Sequence, residues 1–164
     1  MSEELYDIAE ANLYEQIDYL ENQLMSCIIK DFEDVRLQFN RLQPDFFRNE
    51  NYILYKMYEK IVSEKGINVD VNYVKIYLQA HKSTIALDKD RIEFETFEVD
   101  GLSGIDGALT STVQHFIELS DENYFKEKSF DNILVRFKSV YAGLELQDTL
   151  QTSSTALTNS IYYR

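Results

Sequence analysis

"LQPDFFRNENYILYKMYEKIVSEKGINVD", residues Leu42 to Asp70, holds the only proline of the chain, two adjacent phenylalanines, three tyrosines and a closing Gly-x-x-x-Asp. Pro44 pushes Gln43 out of the α region, so a helix arriving from upstream must end by Leu42 or Gln43. Beyond this corner Tyr52, Tyr55, Tyr58 and Val62 recur in steps of three and four, with Ile53, Leu54, Met57 and Ile61 beside them. That spacing predicts an amphipathic helix that Asn49 or Asn51 can cap and Gly66 ends. After a short extended link, the Asp70 side chain can cap a further helix with Val74, Tyr77 and Leu78 facing inward. Helix, corner, helix, link and helix in this order read as a compact bundle with short connections.

Upstream, Leu5, Ile8, Ala9, Leu13, Ile17, Leu20, Leu24 and Ile28 form one helical stripe, either in one helix or in two with a break near Asp18. Glu3, Glu4 and Asp7 suit the N-terminal end of such a helix and Lys30 its C-terminal end. Phe32, Val35, Phe39 and Leu42 continue at helical spacing up to Pro44. With only five glycines and one proline in 164 residues, the chain has few turn signals and should be mainly α. Residues 1–82 are thus expected to form the bundle.

The pattern changes after His81. "DRIEFETFEVDGLSGIDG" alternates partially at Ile92, Phe94, Phe97 and Val99 and carries three of the glycines, so 83–112 reads as an insertion or loop able to form a small β-hairpin. "TVQHFIEL" predicts a short helix. Phe130, Ile133, Leu134, Phe137, Tyr141 and Leu144 predict a long amphipathic helix capped by Ser129 or Asp131, giving a C-terminal helical hairpin over 113–150. The polar, small-residue segment 151–164 reads as a tail or linker.

A hydrophobic share of 45% with 13% aromatic residues is core material enough for a folded domain without disulfides or metal. The net charge of −13 opposes binding to a phosphate backbone, and the basic residues are scattered among acids, so no direct nucleic-acid binding is expected. Cys27, the only cysteine, lies in the apolar "LMSCIIK" and reads as a core residue in a reducing compartment. The acidic N-terminus has neither the basic nor the apolar region of a signal peptide, and no apolar run reaches membrane-spanning length; a cytoplasmic protein is expected.

Catalytic patterns are missing. There is no Gly-x-x-x-x-Gly-Lys-Ser/Thr to cradle a triphosphate, and "GLSGIDG" lacks the lysine and the strand–helix setting of a phosphate loop. His81 and His115 lie outside the H-x-x-x-H and H-E-x-x-H patterns, and with one cysteine they provide no metal set. No Gly-x-Ser-x-Gly elbow occurs, and pairs such as Glu3/Glu4 and Glu33/Asp34 carry no mark of a cleft that splits their pKa values. No enzymatic activity and no cofactor or metal are expected.

The segment from Glu21 to Leu78 resembles the N-terminal domain of DnaB-like replicative DNA helicases, in which an acidic-led helix is followed by L-x-P-x-D-F-Y, a helix, and G-x-x-hydrophobic-D. Glu21, Leu24 and Ile28 match the first element; Leu42, Pro44, Asp45 and Phe46 the second, with Phe47 in place of Tyr; Gly66, Val69 and Asp70 the third. Ser26 stands where the family often has Gly, and the RecA-like motor is absent. The resemblance implies a non-catalytic domain, phage-encoded or otherwise, that dimerises, helps a hexamer form and docks primase or loader in the primosome. In that setting Tyr124, Phe125, Phe130, Phe137, Tyr141 and Leu144 are the expected contacts with itself or with partners, whereas Leu42, Pro44, Asp45, Phe46, Phe47, Gly66 and Asp70 form a structural corner. The alternative is a stand-alone phage protein that mimics this domain and binds a host helicase, loader or primase to recruit or inhibit it. The helicase-binding region of a primase, which resembles the same bundle, ranks behind these, and a small carboxylate hydrolase last.

Overall fold

The computed structural model describes the backbone of residues 3–124 and 129–162, and side chains over 12–124 and 129–150. The protein is mainly α, with one small two-stranded antiparallel sheet among the described residues. In chain order the helices are α1 (Glu3–Lys30), α2 (Phe32–Val35), α3 (Asn49–Ile61), α4 (Val71–Ala80), α5 (Lys82–Ile85), α6 (Gly104–Leu119) and α7 (Phe130–Tyr162). Strands β1 (Glu98–Val99) and β2 (Leu102–Ser103) pair between α5 and α6, in register Glu98 with Ser103 and Val99 with Leu102. The chain divides into two units, residues 21–128 and residues 1–20 with 129–164, and α1 contributes to both.

In the unit of residues 21–128, α6 is the central element, packing against α3, α4, the hairpin and the 3₁₀ turn Phe94–Thr96. Leu24, Met25 and Ile28 from α1, Leu54, Met57 and Tyr58 from α3, Val74 and Leu78 from α4, and Ile92 and Leu119 are fully or almost fully buried. Removing such side chains from water supplies roughly 1.5–3 kcal/mol each and is the main force holding the helices together. Ser26 donates its hydroxyl to the Leu119 carbonyl of α6 at 2.8 Å. One of the carbonyls that a helix C-terminus leaves open is thereby satisfied.

In the other unit, Ile17 and Leu20 of α1 and Phe130, Ile133, Leu134, Phe137 and Leu144 of α7 are buried. The α7 residues lie on one helical stripe, as their spacing requires. The Ser129 hydroxyl accepts the backbone N–H of Asn132 at 3.3 Å and so caps the start of α7.

The structure differs from the sequence reading at several places. Helix α1 runs unbroken past Asp18. The stretch before Pro44 is helical but mostly tightened into a 3₁₀ turn over Arg36–Arg41. Neither Asn49 nor Asn51 caps α3: the cap position is Arg48, with no side-chain cap. Within 83–112, only 98–103 form the hairpin; from Gly104 the chain is already in α6, a 16-residue helix joined to the bundle. Gly107 explains why a glycine-rich stretch can be helical there, because an added Cβ would lie 2.8 Å from the Leu102 carbonyl oxygen and 3.2 Å from that of Phe97. The glycine lets helix and hairpin backbones approach closely rather than marking a loop. Helices α6 and α7, read together as one hairpin over 113–150, belong to different units. Residues 151–162, read as a tail, continue α7 to Tyr162.

Candidate functional site

The corner at Pro44 is assembled from distant parts of the chain. Gln43 is extended, as its place before proline demands, and Pro44–Phe46 form one 3₁₀ turn. Leu42, Phe46 and Phe47 are buried. The Tyr55 ring is stacked between Phe47, at 4.9 Å between centroids, and Phe39, at 5.2 Å. Arg91 closes the corner from outside: its guanidinium donates to the carbonyls of Asp45 at 2.7 Å and Phe47 at 2.6 Å. Asn49, at a φ of 55°, donates its backbone N–H to the Arg91 carbonyl and accepts the Glu93 N–H on its side chain, at 2.9 and 2.8 Å. Asparagine tolerates this left-handed backbone better than most residues, which suits it to the position. Gly66 has a φ of 80°, and the Asp70 carboxylate accepts the Tyr73 N–H at 2.8 Å to cap α4.

Beside the corner lies a buried polar cluster. Glu21, 4% exposed, accepts the backbone N–H of Arg48 at 2.8 Å and the Asn51 amide at 3.3 Å on one carboxylate oxygen. The other oxygen is 4.0 Å from the Arg48 guanidinium. Glu21 therefore supplies, from α1, a carboxylate that accepts at the start of α3, where the cap residue itself makes no side-chain cap hydrogen bond. The Asn51 amide also donates to Asn22 at 2.7 Å, which leaves its carbonyl oxygen to accept the Nε2–H of His115 at 2.8 Å. Burial lowers the His115 pKa below its ordinary value, and the carboxylates of Glu50 and Glu118 act in the opposite direction. Sequence reasoning singled out Glu21 but not this role, because its partners are 27 and 30 residues away.

The expected contact residues are divided between the two units, Tyr124 in one and Phe130, Phe137, Tyr141 and Leu144 in the other. Phe125 lies outside the described residues. Tyr124 is half-buried; its carbonyl accepts from the Lys30 ammonium, which also sits 5.8 Å from the Tyr124 ring centroid. Phe130, Phe137 and Leu144 are buried, and Tyr141 is half-buried with its ring stacked 5.9 Å from that of Phe137. These are core side chains of α7, which corrects their reading as exposed contacts; large aromatic rings bury first because they carry the most apolar area. The exposed face of α7 instead carries Val135, Leu146 and Leu150, at 63%, 61% and 53% exposure. At about 100° per residue these three project within about 60° of one another, opposite Phe137, with Ser139 in the same sector and Ala142 at its edge. The signal for them was a second apolar stripe on the same helix.

A cleft of about 430 Å³ lies between α4 and α6, lined by Lys75, Leu78, Gln79, Leu109, Val113 and Gln114. Among the described residues no group of three or more His, Cys, Asp or Glu converges to hold a metal, and no helix is long and apolar enough to cross a membrane. Burial and then the nearby Asp31 push the Cys27 thiol up to about 11, so it is a protonated packing group at neutral pH. Comparison with protein families, with curated proteins and with solved structures finds no match to this chain.

Proposed function

We propose that this chain is a non-catalytic assembly and interaction domain of a DnaB-like replicative DNA helicase, promoting dimer and hexamer assembly and docking primase or loader during DNA replication in the cytoplasm. One observation carries the assembly part of the reading: α7 is apolar on two opposite faces, one buried within the chain and one open at Val135, Leu146 and Leu150. A 33-residue helix, about 50 Å long, with a second exposed apolar stripe is suited to packing against another helix. The Leu42–Asp70 order supports the helicase side of the reading, because Phe46, Phe47 and Asp70 act there as scaffold. A net charge of −13 supports protein rather than nucleic-acid partners. The alternative is a stand-alone mimic of the helicase domain that uses the same stripe to bind a host helicase, loader or primase.

The test is the solution mass of the chain over a concentration series, by light scattering behind size exclusion, for the wild type and for Leu146→Glu with Leu150→Glu. The expected result is a wild-type dimer or higher oligomer and a variant that is monomeric with an unchanged circular dichroism spectrum. A wild type that is monomeric at every concentration would remove the self-assembly reading and leave the mimic, to be followed by pull-downs against helicase, loader and primase.

A further inference from the structure

The open stripe of α7 has a spacing and a charge pattern that determine how a second helix would lie on it. Val135, Ser139, Ala142 and Leu146 are all exposed and succeed one another in steps of four, three and four. This is the repeat that keeps one narrow seam turned toward a partner helix over two heptads. Ser139 and Ala142 are small and stand in the middle of the seam, so the backbone of a second helix can approach closely there. Val135 and Leu146 supply the apolar area at its two ends.

Lys138 and Glu145 flank this seam. They are seven residues apart, so at about 100° per residue they point within about 20° of each other, about 80–100° to the same side of the seam. Both are exposed, and among the described residues neither forms an ion pair. Nor does α7 offer either one an opposite charge a helical turn away. Leu134, Val135, Tyr141 and Ala142 surround Lys138, and the one charged neighbour of Glu145 at that spacing, Asp148, has the same sign.

The two flanking charges are opposite, so direction decides whether a second copy matches them. In a parallel pair Lys138 of each copy meets Gly143 of the other and Glu145 meets Leu150, and neither charge finds a counterpart. In an antiparallel pair with Ser139 of each copy opposite Ala142 of the other, Val135 falls opposite Leu146 at both ends. Lys138 of each copy then faces Glu145 of the other, giving two ion pairs related by a two-fold axis. We propose that the α7 stripe binds a second copy of this chain in the antiparallel direction, with Val135, Ser139, Ala142 and Leu146 as the seam and the two Lys138–Glu145 pairs fixing direction and register. This rests on the self-assembly reading above and adds the geometry of the contact. Exposed pairs of this kind add little affinity and act mainly by selecting orientation, so the test reverses charges rather than deleting them.

The experiment is sedimentation equilibrium of the full chain from about 1 µM to 1 mM at about 0.15 M salt, where charges more than about 8 Å apart are largely screened. Wild type, Lys138→Glu, Glu145→Lys and an equimolar mixture of the two variants are compared. In the homodimer of either variant both pairs become repulsive, and dimerisation should weaken about tenfold. In the mixture one copy carries glutamate at both positions and the other lysine at both, so the heterodimer has two attractive pairs and dimer mass should return at wild-type concentrations. Net charge alone predicts otherwise: Lys138→Glu makes the chain more acidic and Glu145→Lys less, which would shift dimerisation in opposite directions. Both side chains are exposed, so both variants should keep the wild-type circular dichroism spectrum. A dimeric wild type whose dimerisation the two variants leave unchanged, or a mixture no better than its components, would overturn antiparallel pairing and leave self-assembly standing. A wild type that is monomeric at every concentration would overturn both.

Discussion

Asn51→Ala is the most informative single change in the protein, because one amide there serves three partners. It removes the 2.7 Å bond to Asn22, the 3.3 Å bond to Glu21 and the acceptor for His115 at 2.8 Å. Glu21 keeps the Arg48 N–H on the same oxygen, so the long Asn51 bond contributes at the low end of a charged hydrogen bond, about 1 kcal/mol. The imidazole N–H, by contrast, loses its acceptor in a largely buried setting, which costs about 1–3 kcal/mol. With the Asn22 bond the loss comes to about 3 kcal/mol, or a fall in Tm of about 6–12 °C for a chain of this size. Urea unfolding followed by far-ultraviolet circular dichroism measures it. Pairing the change with His115→Ala isolates the bond itself: the double variant should lose about 1 kcal/mol less than the two single losses added. A loss below about 1 kcal/mol for Asn51→Ala, or strict additivity, would refute the view of this cluster as a connected network.

Three further outcomes concern His115 and two glycines. Burial depresses the folded-state pKa of His115 against the pull of Glu50 and Glu118, so its contribution to stability is complete above the unfolded value of about 6.5 and falls as pH drops from there through the folded pKa. Between pH 7 and pH 5, urea midpoints should therefore fall more for the wild type than for His115→Gln, which keeps an N–H for Asn51, and equal falls would exclude the effect. Gly107→Ala should destabilise by about 1 kcal/mol, because a Cβ 2.8 Å from a backbone oxygen outweighs the gain of about 1 kcal/mol that alanine brings to a helix. Gly143→Ala, with nothing within 4 Å, should show that gain alone, and thermal melts of the pair separate the two terms.

What was legible in the sequence and what was not divide along range. Pro44 and Asp70 act through backbone rules that reach one to four residues, and each acts locally in the structure as those rules require, whereas Gly66, at a φ of 80°, lies beyond α3, which already ends at Ile61. The stripe of α3 was equally plain, since Tyr55, Tyr58 and their neighbours bury as their spacing demands. Arg91 on the Pro44 corner and Glu21 at the start of α3 could not be read that way, because each bond spans 27 to 46 residues and leaves no periodic trace. Gly107 misled for a related reason. A glycine is equally compatible with a turn and with a helix pressed against another backbone, and only the position of Leu102 and Phe97 decides between them.

Helix α7 shows the limit most clearly. Its first half carries Phe130, Ile133, Leu134 and Phe137 on one face and Val135 on the other, so periodicity proves a helix without saying which face is inside. Volume decides: the face with the rings removes more apolar area from water, and the chain buries it, leaving Val135, Leu146 and Leu150 exposed. An aromatic residue on a long amphipathic helix is therefore a poor guide to an interaction surface and a good guide to the core. The surface is better sought among the aliphatic residues a half-turn away, and for this protein that places the assembly test on Leu146 and Leu150 rather than on Phe137, whose truncation would cost about 3–5 kcal/mol of folding and confuse the two effects.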